Sequence, residues 1–303
     1  MSSFTIMIDT GCDLPQELID KYGIKTIPIP FQLDGVPHDQ GRWQEISGAD
    51  FYKALREGSV ASTALINPES FVQVFTDYAK RGEPLLAITL SSGLSGTYQN
   101  SLLALEEVKA VYPECNICSV DSLNAAVGIG LLAILAVKRR DEGLSVEETA
   151  TWLEEIRHSC ISLFTVDDLM FLHRGGRVSK LQAIAGSIIG VKPLLNIAPD
   201  GTLKLKDKAR GRKGSIEALV NQMKRCIRPG TKNLGLFLVG HCDCEEDALM
   251  AVDLAKSAFD VQDVVIEMIG PVIGAHSGPG TIAIFFVGDM NRFEYEAKFY
   301  PEK

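Results

Sequence analysis

The chain has 303 residues, of which 46% are hydrophobic, and this length is typical of two globular domains. Its formal net charge of −9 argues against a broad nucleic-acid-binding surface, which would need a basic face. The most apolar segment, residues 125–137, is too short to span a bilayer, and the seven cysteines lack the spacing of a disulfide framework, so we expect a cytoplasmic protein with reduced thiols.

Strands and helices alternate through the first half of the chain. A buried strand over residues 3–8 precedes a helix over 15–22, for which Asp13 is a suitable N-cap. Residues 27–31 contain two prolines and can form only an edge strand, and residues 32–60 are rich in loop formers. Beyond them the pattern predicts helices over 69–80, 96–111, 123–139 and 145–158 and strands over 85–90, 116–120 and 161–166. This alternation predicts a parallel sheet with helices on its faces.

The second half has a different pattern. Residues 192–197 and 202–206, joined by Pro199-Asp200-Gly201, have the signature of a β-hairpin. The segments that follow predict helices over 213–227 and 245–258 and strands over 234–240, 264–269 and 281–287. We therefore predict an α/β protein with a parallel-sheet α/β domain over residues 1–160 and an α+β domain over 161–303, whose last strand or tail could return to the first domain.

Residues 91–97, named here the serine loop, carry glycines and hydroxyl groups between a predicted strand and a predicted helix. Ligands of open α/β sheets bind at this edge, and the free amides of a helix start favour an anion. The glycines let the backbone approach a ligand, and Ser92, Ser95 and Thr97 add hydroxyl donors. One N-cap needs only one hydroxyl, so the loop predicts an anion site, with a simple cap and tight turn as the alternative.

Residues 269–280, named here the Gly–His segment, place four glycines and two prolines around His276 and Ser277. Histidine can donate to an oxyanion or transfer a proton. We predict a loop that contributes to a binding site, with a solvent-exposed histidine as the alternative. A serine-type hydrolase using Ser95 and His276 is a further alternative, although residues 93–97 lack the last glycine of a nucleophile elbow.

Charged residues outside these segments give two further predictions. Asp9 ends the first predicted strand and fits either the rim of the site or the cap of the next helix. Basic islands occur on this acidic chain, and their arginines Arg174, Arg177 and Arg210 fit contacts with a phosphate group or an acidic partner. A solvated charged surface, or a protein scaffold that acts through these islands, is the alternative.

Metal binding is not predicted. Cys115 and Cys118 have C-x-x-C spacing, but residues i and i+3 of a strand point to opposite faces. The segment His241-Cys242-Asp243-Cys244 would have to complete a zinc site. Buried or loop cysteines are the simpler interpretation.

Four motifs connect these segments along the chain. Residues 9–15 read Asp-Thr-Gly-Cys-Asp-Leu-Pro, and residues 91–99 fit Ser-Ser-x-Leu-Ser-Gly-Thr-Tyr-Gln. Residues 174–179 fit Arg-Gly-Gly-Arg-(Ile/Val)-Ser, and residues 270–280 fit Gly-Pro-Val-Ile-Gly-x-His-x-Gly-Pro-Gly. In this order the motifs resemble those of the DegV family of bacterial fatty-acid-binding proteins, the lipid-presenting subunits of a fatty acid kinase system.

The resemblance implies a carrier, not an enzyme, that holds one long-chain fatty acid between its two domains and uses no cofactor. It implies that the carboxylate is held at Thr63, Ser95, Gly96 and His276. Such uncharged groups can bind a carboxylate without a buried arginine. The rim would be formed by Asp9, Ser92, Thr97 and Ser277. The implied partner is a separate ATP-dependent fatty acid kinase that makes the acyl phosphate, and we also expect a transient contact with a membrane surface.

The apolar tail of such a ligand would need a long tunnel. Its candidate lining is Phe164, Ile184, Ile188, Ile189 and Leu194, for which an ordinary core is the alternative. The sequence departs from the family at residues 63–67, which read Thr-Ala-Leu-Ile-Asn where the family has Thr-Ser-Gln-Pro-Ser. Thr63 keeps the carboxylate-binding position, and the preferred chain length stays open.

Overall fold

The computed structural model describes residues 4–39, 41, 43–180 and 190–301. The elements of the first half are β1 (Thr5–Asp9), α1 (Gln16–Tyr22), β2 (Lys25–Ile27), β3 (Phe31–Leu33), β4 (Val36–His38), α2 (Gly48–Arg56), β5 (Ala61–Thr63), α3 (Pro68–Arg81), β6 (Leu85–Thr89), α4 (Thr97–Val111), β7 (Ile117–Asp121), α5 (Val127–Asp141) and α6 (Val146–Ile156). The elements of the second half are β8 (Cys160–Thr165), α7 (Leu169–Arg174), β9 (Val191–Ile197), β10 (Leu203–Arg210), α8 (Gly211–Cys226), β11 (Asn233–His241), α9 (Glu245–Ala258), β12 (Asp260–Met268), α10 (Pro271–Ser277), β13 (Ile282–Val287) and α11 (Arg292–Phe299).

A four-stranded parallel sheet, in the order β2-β1-β6-β7, forms the first half of the molecule. All five residues of β6 are buried, as expected for a parallel strand that is covered on both faces. The predicted parallel sheet is confirmed. Its carboxyl edge carries the serine loop, which follows β6 directly.

A six-stranded mixed sheet, in the order β10-β9-β8-β13-β11-β12, forms the second half. The predicted hairpin is confirmed, since β9 and β10 pair antiparallel. Among the described strands of this sheet, β11 and β12 pair parallel and the other neighbours pair antiparallel. The last strand, β13, lies inside this sheet between β8 and β11.

Helix α5 lies between the two sheets and contacts strands of both. Its glycines permit this close packing: a methyl group on Gly128 would lie 2.8 Å from the Phe285 ring in β13, and one on Gly130 would lie 2.4 Å from Leu14. The largest hydrophobic core therefore contains residues of both sheets, among them Ile8 and Phe285. Among the helices of the described residues, none combines the length and the apolar character needed to cross a membrane.

The prediction for residues 27–31 was wrong. They are not one edge strand, because β2 ends at Ile27 in the parallel sheet and β3 starts at Phe31 in another sheet, with two prolines between them. Residues 32–60 are rich in loop, as predicted, and they also contain β4 and α2, with β5 following directly. Strands β4, β3 and β5 form a small antiparallel sheet of three-residue strands, which are too short to leave a clear period-2 pattern.

Two further local predictions were wrong. Asp13 does not cap α1, which has no side-chain cap. Its buried carboxylate instead accepts a hydrogen bond of 2.7 Å from the amide of Gly270, and so links the first motif to the last. The Gly–His segment is not an irregular loop, because residues 271–277 form helix α10, with Pro271 in the first turn, where its missing N–H has no cost.

Candidate functional site

A cavity of about 450 Å³ lies among the serine loop, the Gly–His segment and the six-stranded sheet. This volume is within the range of small-molecule sites. The sheet contributes one face: β8 and β13 pair so that Phe164 lies opposite Ala283 and Ser162 lies opposite Phe285. All four side chains line the cavity, because alternate residues of a strand share a face.

The polar end of the cavity brings together the four residues expected to hold a carboxylate. Thr63, Ser95, Gly96 and His276 all line it. The Oγ1 of Thr63 and the Nε2 of His276 are 2.7 Å apart and share a hydrogen bond. The rest of the lining is mainly apolar, so the cavity has a polar end and an otherwise largely hydrophobic wall.

The serine loop is fixed by hydrogen bonds to its neighbours. The amide of Ser91 donates to the carbonyl of Asn124 over 2.9 Å, and the amide of Ser92 donates to the carboxylate of Asp121 over 3.1 Å. The hydroxyl of Ser91 donates to the carbonyl of Gly201 in the β9–β10 turn, at 2.8 Å. The loop is therefore anchored to both sheets.

The expectation of several free amides in the serine loop was wrong. Within the described residues, the amides of residues 92–95 and of Thr97 all have acceptors in the protein. Among the described residues, no acceptor is found for the amide of Gly96, a residue that lines the cavity. The hydroxyls of Ser95 and Thr97 are 2.9 Å apart and bond to each other.

The Gly–His segment is fixed by close packing. A methyl group on Gly274 would lie 2.4 Å from the Oη of Tyr52, which donates to the carbonyl of Ile269 over 2.6 Å. A methyl group on Gly278 would lie 2.5 Å from the ring of Phe171 in α7. The glycines of the last motif are thus needed for tight contacts that set the position of α10, and His276 lies in its last turn.

His276 is a neutral imidazole at physiological pH. Burial, and secondarily the charge of Arg177, lowers its pKa to about 4. A neutral ring can donate from one nitrogen and accept at the other. Its Nδ1 faces Gly175, where a methyl group would lie only 2.1 Å away, so the second glycine-rich motif provides the space for this ring.

The geometry gives the hydrolase alternative no support. A nucleophilic serine needs its base within hydrogen-bond reach. The partner of His276 is Thr63, and the partner of the Ser95 hydroxyl is Thr97. In the described part of the chain no Ser95–His276 hydrogen bond is present.

The four predicted rim residues separate into two pairs. Ser92 and Ser277 line the cavity, whereas Asp9 and Thr97 are buried behind it. The carboxyl of Asp9 accepts hydrogen bonds from the amides of Gly11, at 2.9 Å, and Leu90, at 2.5 Å. Burial raises the pKa of Asp9 to about 7, against the opposing effect of these two bonds. Asp9 therefore supports the start of the serine loop from beneath.

The three predicted partner arginines occupy different environments. Arg174 is exposed and stacks on the ring of Phe171 at 4.4 Å, and Arg210 is exposed just before α8. Arg177 is half-buried and lines the cavity, beside the residues that the sequence analysis expects to bind a carboxylate without a buried arginine. The reason is the turn after α7, which directs this side chain inward to the carbonyl of Leu94.

The predicted tunnel lining is only partly found at the cavity. Phe164 lines it, and Leu194 does not, because Leu194 is on the opposite face of β9 from Ile197, which does line it. Ile184, Ile188 and Ile189 lie outside the described residues. Sequence reasoning missed Ala283 and Phe285, because the last strand is a continuous apolar run in which no residue marks the face that lines the cavity.

The divergent loop after β5 is well anchored. Asn67 caps α3, since its side chain accepts from the amide of Ser70 over 2.8 Å. The carbonyl of Ile66 accepts from the side chain of Asn100, also over 2.8 Å. Leu65 lines the cavity and is 46% exposed, so the lining reaches solvent at this loop.

The cysteines of the described residues form neither a disulfide nor a metal site. All seven cysteines are free thiols. Within residues 4–39, 41, 43–180 and 190–301, no three His, Cys, Asp or Glu side chains are arranged to hold a metal ion.

The sequence matches the model of the family described as "Uncharacterised protein, DegV family" over residues 3–289. The chain therefore belongs to the DegV family. A DegV domain-containing protein of Clostridium perfringens is 37% identical over 290 residues, which cover 95% of this chain and 99% of that protein.

Solved structures share the fold. A Thermotoga maritima protein reported to reveal a fatty acid binding function is 30% identical, with a TM-score of 0.83, covering 95% of this chain and 100% of that one. The Streptococcus pneumoniae fatty acid kinase B3 protein, loaded with linoleic acid, is 19% identical, with a TM-score of 0.80, covering 95% of this chain and 100% of that one. At this identity the likeness shows the fold alone. Both of these solved bacterial proteins are described with a bound fatty acid or a fatty acid binding function, so they are lipid-binding proteins, the class that the sequence predicts.

Proposed function

We propose that the protein binds one long-chain fatty acid in the cavity and presents it to an ATP-dependent fatty acid kinase in the cytoplasm. The observation that carries this proposal is the cavity itself, whose mainly apolar lining ends at Thr63, Ser95, Gly96 and His276. The carboxylate would accept hydrogen bonds from the hydroxyls of Thr63 and Ser95 and from the Gly96 amide. His276 would donate from Nε2 to the Oγ1 of Thr63, 2.7 Å away, and so leave the Thr63 proton for the carboxylate.

The tail would supply most of the affinity. At about 0.8 kcal/mol per buried methylene, a chain of about 16 carbons contributes on the order of 10 kcal/mol before the costs of association. Each head-group hydrogen bond contributes a net of about 1 kcal/mol. The polar end therefore orients the fatty acid within the cavity more than it drives binding.

Two exposed arginines support a partner contact. Arg174 lies next to the motif that accommodates His276, and Arg210 precedes α8. Their guanidinium groups are available to a phosphate group or to acidic side chains of a kinase. Contact with a membrane surface stays a prediction.

The direct test is to extract the purified protein with organic solvent and to analyse the extract by mass spectrometry. We expect about one fatty acid per chain, and uptake of added palmitate or oleate by the delipidated protein. An empty extract together with no uptake of either acid would reject the proposal. Hydrolysis of p-nitrophenyl esters that disappears in Ser95→Ala would instead favour the hydrolase.

The head-group assignment has a separate test. We expect Thr63→Ala, Ser95→Ala and His276→Ala each to weaken palmitate binding by about three- to tenfold, the equivalent of one net hydrogen bond. Thr151→Ala is the matched control, because Thr151 is exposed on α6 and away from the cavity. Unchanged affinity in all three site variants would show that the carboxylate binds elsewhere.

A further inference from the structure

Arg292 begins helix α11 and is 2% exposed, yet it does not line the cavity. Its guanidinium donates to three backbone carbonyls. Nε and Nη2 donate to Cys160, over 3.2 and 2.6 Å, and Nη1 donates to Leu123, over 2.7 Å, and more weakly to Ala198, over 3.5 Å. Burial lowers its pKa only to about 10, so the group stays charged at physiological pH. Because a buried charge is costly without hydrogen bonds, these carbonyls and the guanidinium hold one another in place.

The first of the segments that Arg292 holds is the loop between β7 and α5. Leu123 has a φ of 46°, a conformation that a leucine rarely adopts without support from its surroundings. The carbonyl of Asn124, the next residue, accepts from the amide of Ser91 over 2.9 Å. The carboxylate of Asp121 accepts from the amides of Leu123, over 3.0 Å, and Ser92, over 3.1 Å. This strained loop therefore carries two anchors of the serine loop.

The second segment is the β9–β10 turn. The carbonyl of Ala198 accepts from the amide of Gly201 over 2.9 Å, and the carbonyl of Gly201 accepts from the hydroxyl of Ser91 over 2.8 Å. One nitrogen of Arg292, Nη1, thus contacts a carbonyl in each of the two segments that bind Ser91. The carbonyl of Ser91 in turn accepts from the amide of Ser95 over 3.0 Å. A short series of hydrogen bonds therefore connects α11 to Ser95.

We propose that Arg292 is a positioning residue of the carboxylate site, which acts on Ser95 through the β7–α5 loop and the β9–β10 turn. This inference rests on the proposed function. It gives a role in ligand binding to α11, a helix that contributes no residue to the described lining of the cavity. Thr63 has a different support, since it lies in β5 and pairs with Phe31 of β3. The position of Thr63 should therefore not depend on Arg292.

A general contribution of Arg292 to stability is the competing explanation. The two explanations differ in their pattern of coupling, which a double-mutant cycle measures. If Arg292 positions Ser95, its removal should matter less once the Ser95 hydroxyl is gone, and it should matter fully when the Thr63 hydroxyl is gone. A general loss of stability has no reason to distinguish the two hydroxyls.

The experiment measures palmitate affinity by isothermal titration of the delipidated full chain, with circular dichroism to confirm that each variant is folded. Arg292→Met is compared with wild type and is combined separately with Ser95→Ala and with Thr63→Ala. Arg292→Lys is measured in the same three backgrounds, because one ammonium group retains the charge and cannot hold all three carbonyls. The control is Arg225→Met, since Arg225 is exposed on α8 and stacks on Phe299, on the outer side of the same helix.

We expect Arg292→Met alone to weaken palmitate binding about five- to tenfold, and Arg292→Lys to weaken it about threefold. The Arg292→Met factor should fall below about threefold on Ser95→Ala, persist at five- to tenfold on Thr63→Ala, and have no counterpart in Arg225→Met. If Arg292→Met does not fold, the same comparison is made with Arg292→Lys, whose factor should disappear on Ser95→Ala only.

Two results would overturn the inference while leaving the proposed function intact. One is wild-type affinity in the folded Arg292 variants. The other is an equal factor for Arg292 in the Ser95→Ala and Thr63→Ala backgrounds. Absence of palmitate binding by wild type would instead reject the proposed function.

Discussion

The serine loop and the Gly–His segment face each other across the polar end of the cavity, yet Gly93 of the loop and Gly278 of the segment meet different atoms. A methyl group on Gly93 would lie 2.5 Å from the carbonyl carbon of Gly201, which is backbone. A methyl group on Gly278 would instead meet the ring of Phe171, and one on Gly175, in the turn beside the segment, would meet the imidazole of His276. A side-chain ring can rotate away from an added methyl group and backbone cannot. The contact at Gly93 is therefore rigid, and the wall formed by Gly175, Gly278 and His276 is adjustable.

The largest loss of stability should come from adding a methyl group at Gly93, where the contact is rigid. We expect Gly93→Ala to lower the free energy of unfolding by about 2–3 kcal/mol, because the serine loop and the β9–β10 turn must separate. Urea unfolding, followed by circular dichroism, measures this change. The control is Gly214→Ala, since an added methyl group there meets open space inside α8 and should raise stability by up to about 1 kcal/mol. Equal effects of the two substitutions would contradict the comparison.

A smaller effect on stability should come from titration of the Asp9 carboxyl, which lies beneath the serine loop. The pKa of Asp9 is raised to about 7, so the folded chain keeps this proton where the unfolded chain has lost it. The stabilising contribution is fully present below about pH 4 and is lost as the pH rises through about 7. We expect wild type to lose about 1–2 kcal/mol of stability between about pH 5 and 8 relative to Asp9→Asn.

The opposite wall has the opposite pH dependence. The pKa of His276 is lowered to about 4, so its contribution to stability is lost as the pH falls from its ordinary value towards 4. This contribution is the same in wild type and in Asp9→Asn, and it cancels when the two urea-unfolding series are compared. Parallel pH profiles for the two proteins would show that Asp9 does not titrate in this range.

A substitution in the adjustable wall should change palmitate affinity more than it changes the free energy of unfolding. In Gly175→Ala the new methyl group displaces the imidazole of His276, because the ring can rotate out of its position against residue 175. We expect palmitate affinity to fall about tenfold and the free energy of unfolding to change by less than about 1 kcal/mol. Isothermal titration and urea unfolding measure the two quantities. A stability loss as large as that of Gly93→Ala would remove the distinction between the walls.

The smallest effect on lipid binding should come from Arg174→Met. This arginine is exposed and lies outside the lining of the main cavity. We expect palmitate affinity to stay within about twofold of wild type, while turnover by a fatty acid kinase that accepts this protein falls. Weaker palmitate binding by Arg174→Met would show that Arg174 belongs to the binding site. Unchanged turnover by the kinase would show that Arg174 does not contact the kinase.

The sequence was sufficient to predict which segments meet. Thr63 and His276 are 213 residues apart, and the resemblance to the family implied that they share a site. The strand–helix alternation of the first half and the hairpin near residue 200 were also predictable, because periodicity and turn residues are local signals. The roles of these residues in ligand binding stay predictions.

Other features of the fold and of the site could not be predicted, because they depend on contacts that no local sequence pattern encodes. Arg177 belongs to a basic run that is typical of a solvated surface, and only the turn after α7 brings it to Leu94, 83 residues earlier. Asp13 has the spacing of an N-cap, yet its partner is Gly270. The three-residue strands of the small sheet are stabilised by their neighbours and not by their own pattern.

Helix α5 has a consequence for how the molecule comes apart. Both sheets use this one helix as cover, with Gly128 against Phe285 on one side and Gly130 against Leu14 on the other. Unfolding of either sheet would expose the face of the other sheet that α5 covers. Heating should therefore unfold both sheets in a single cooperative transition in calorimetry. For the same reason, fragments that end or begin near residue 160 should aggregate when they are expressed alone.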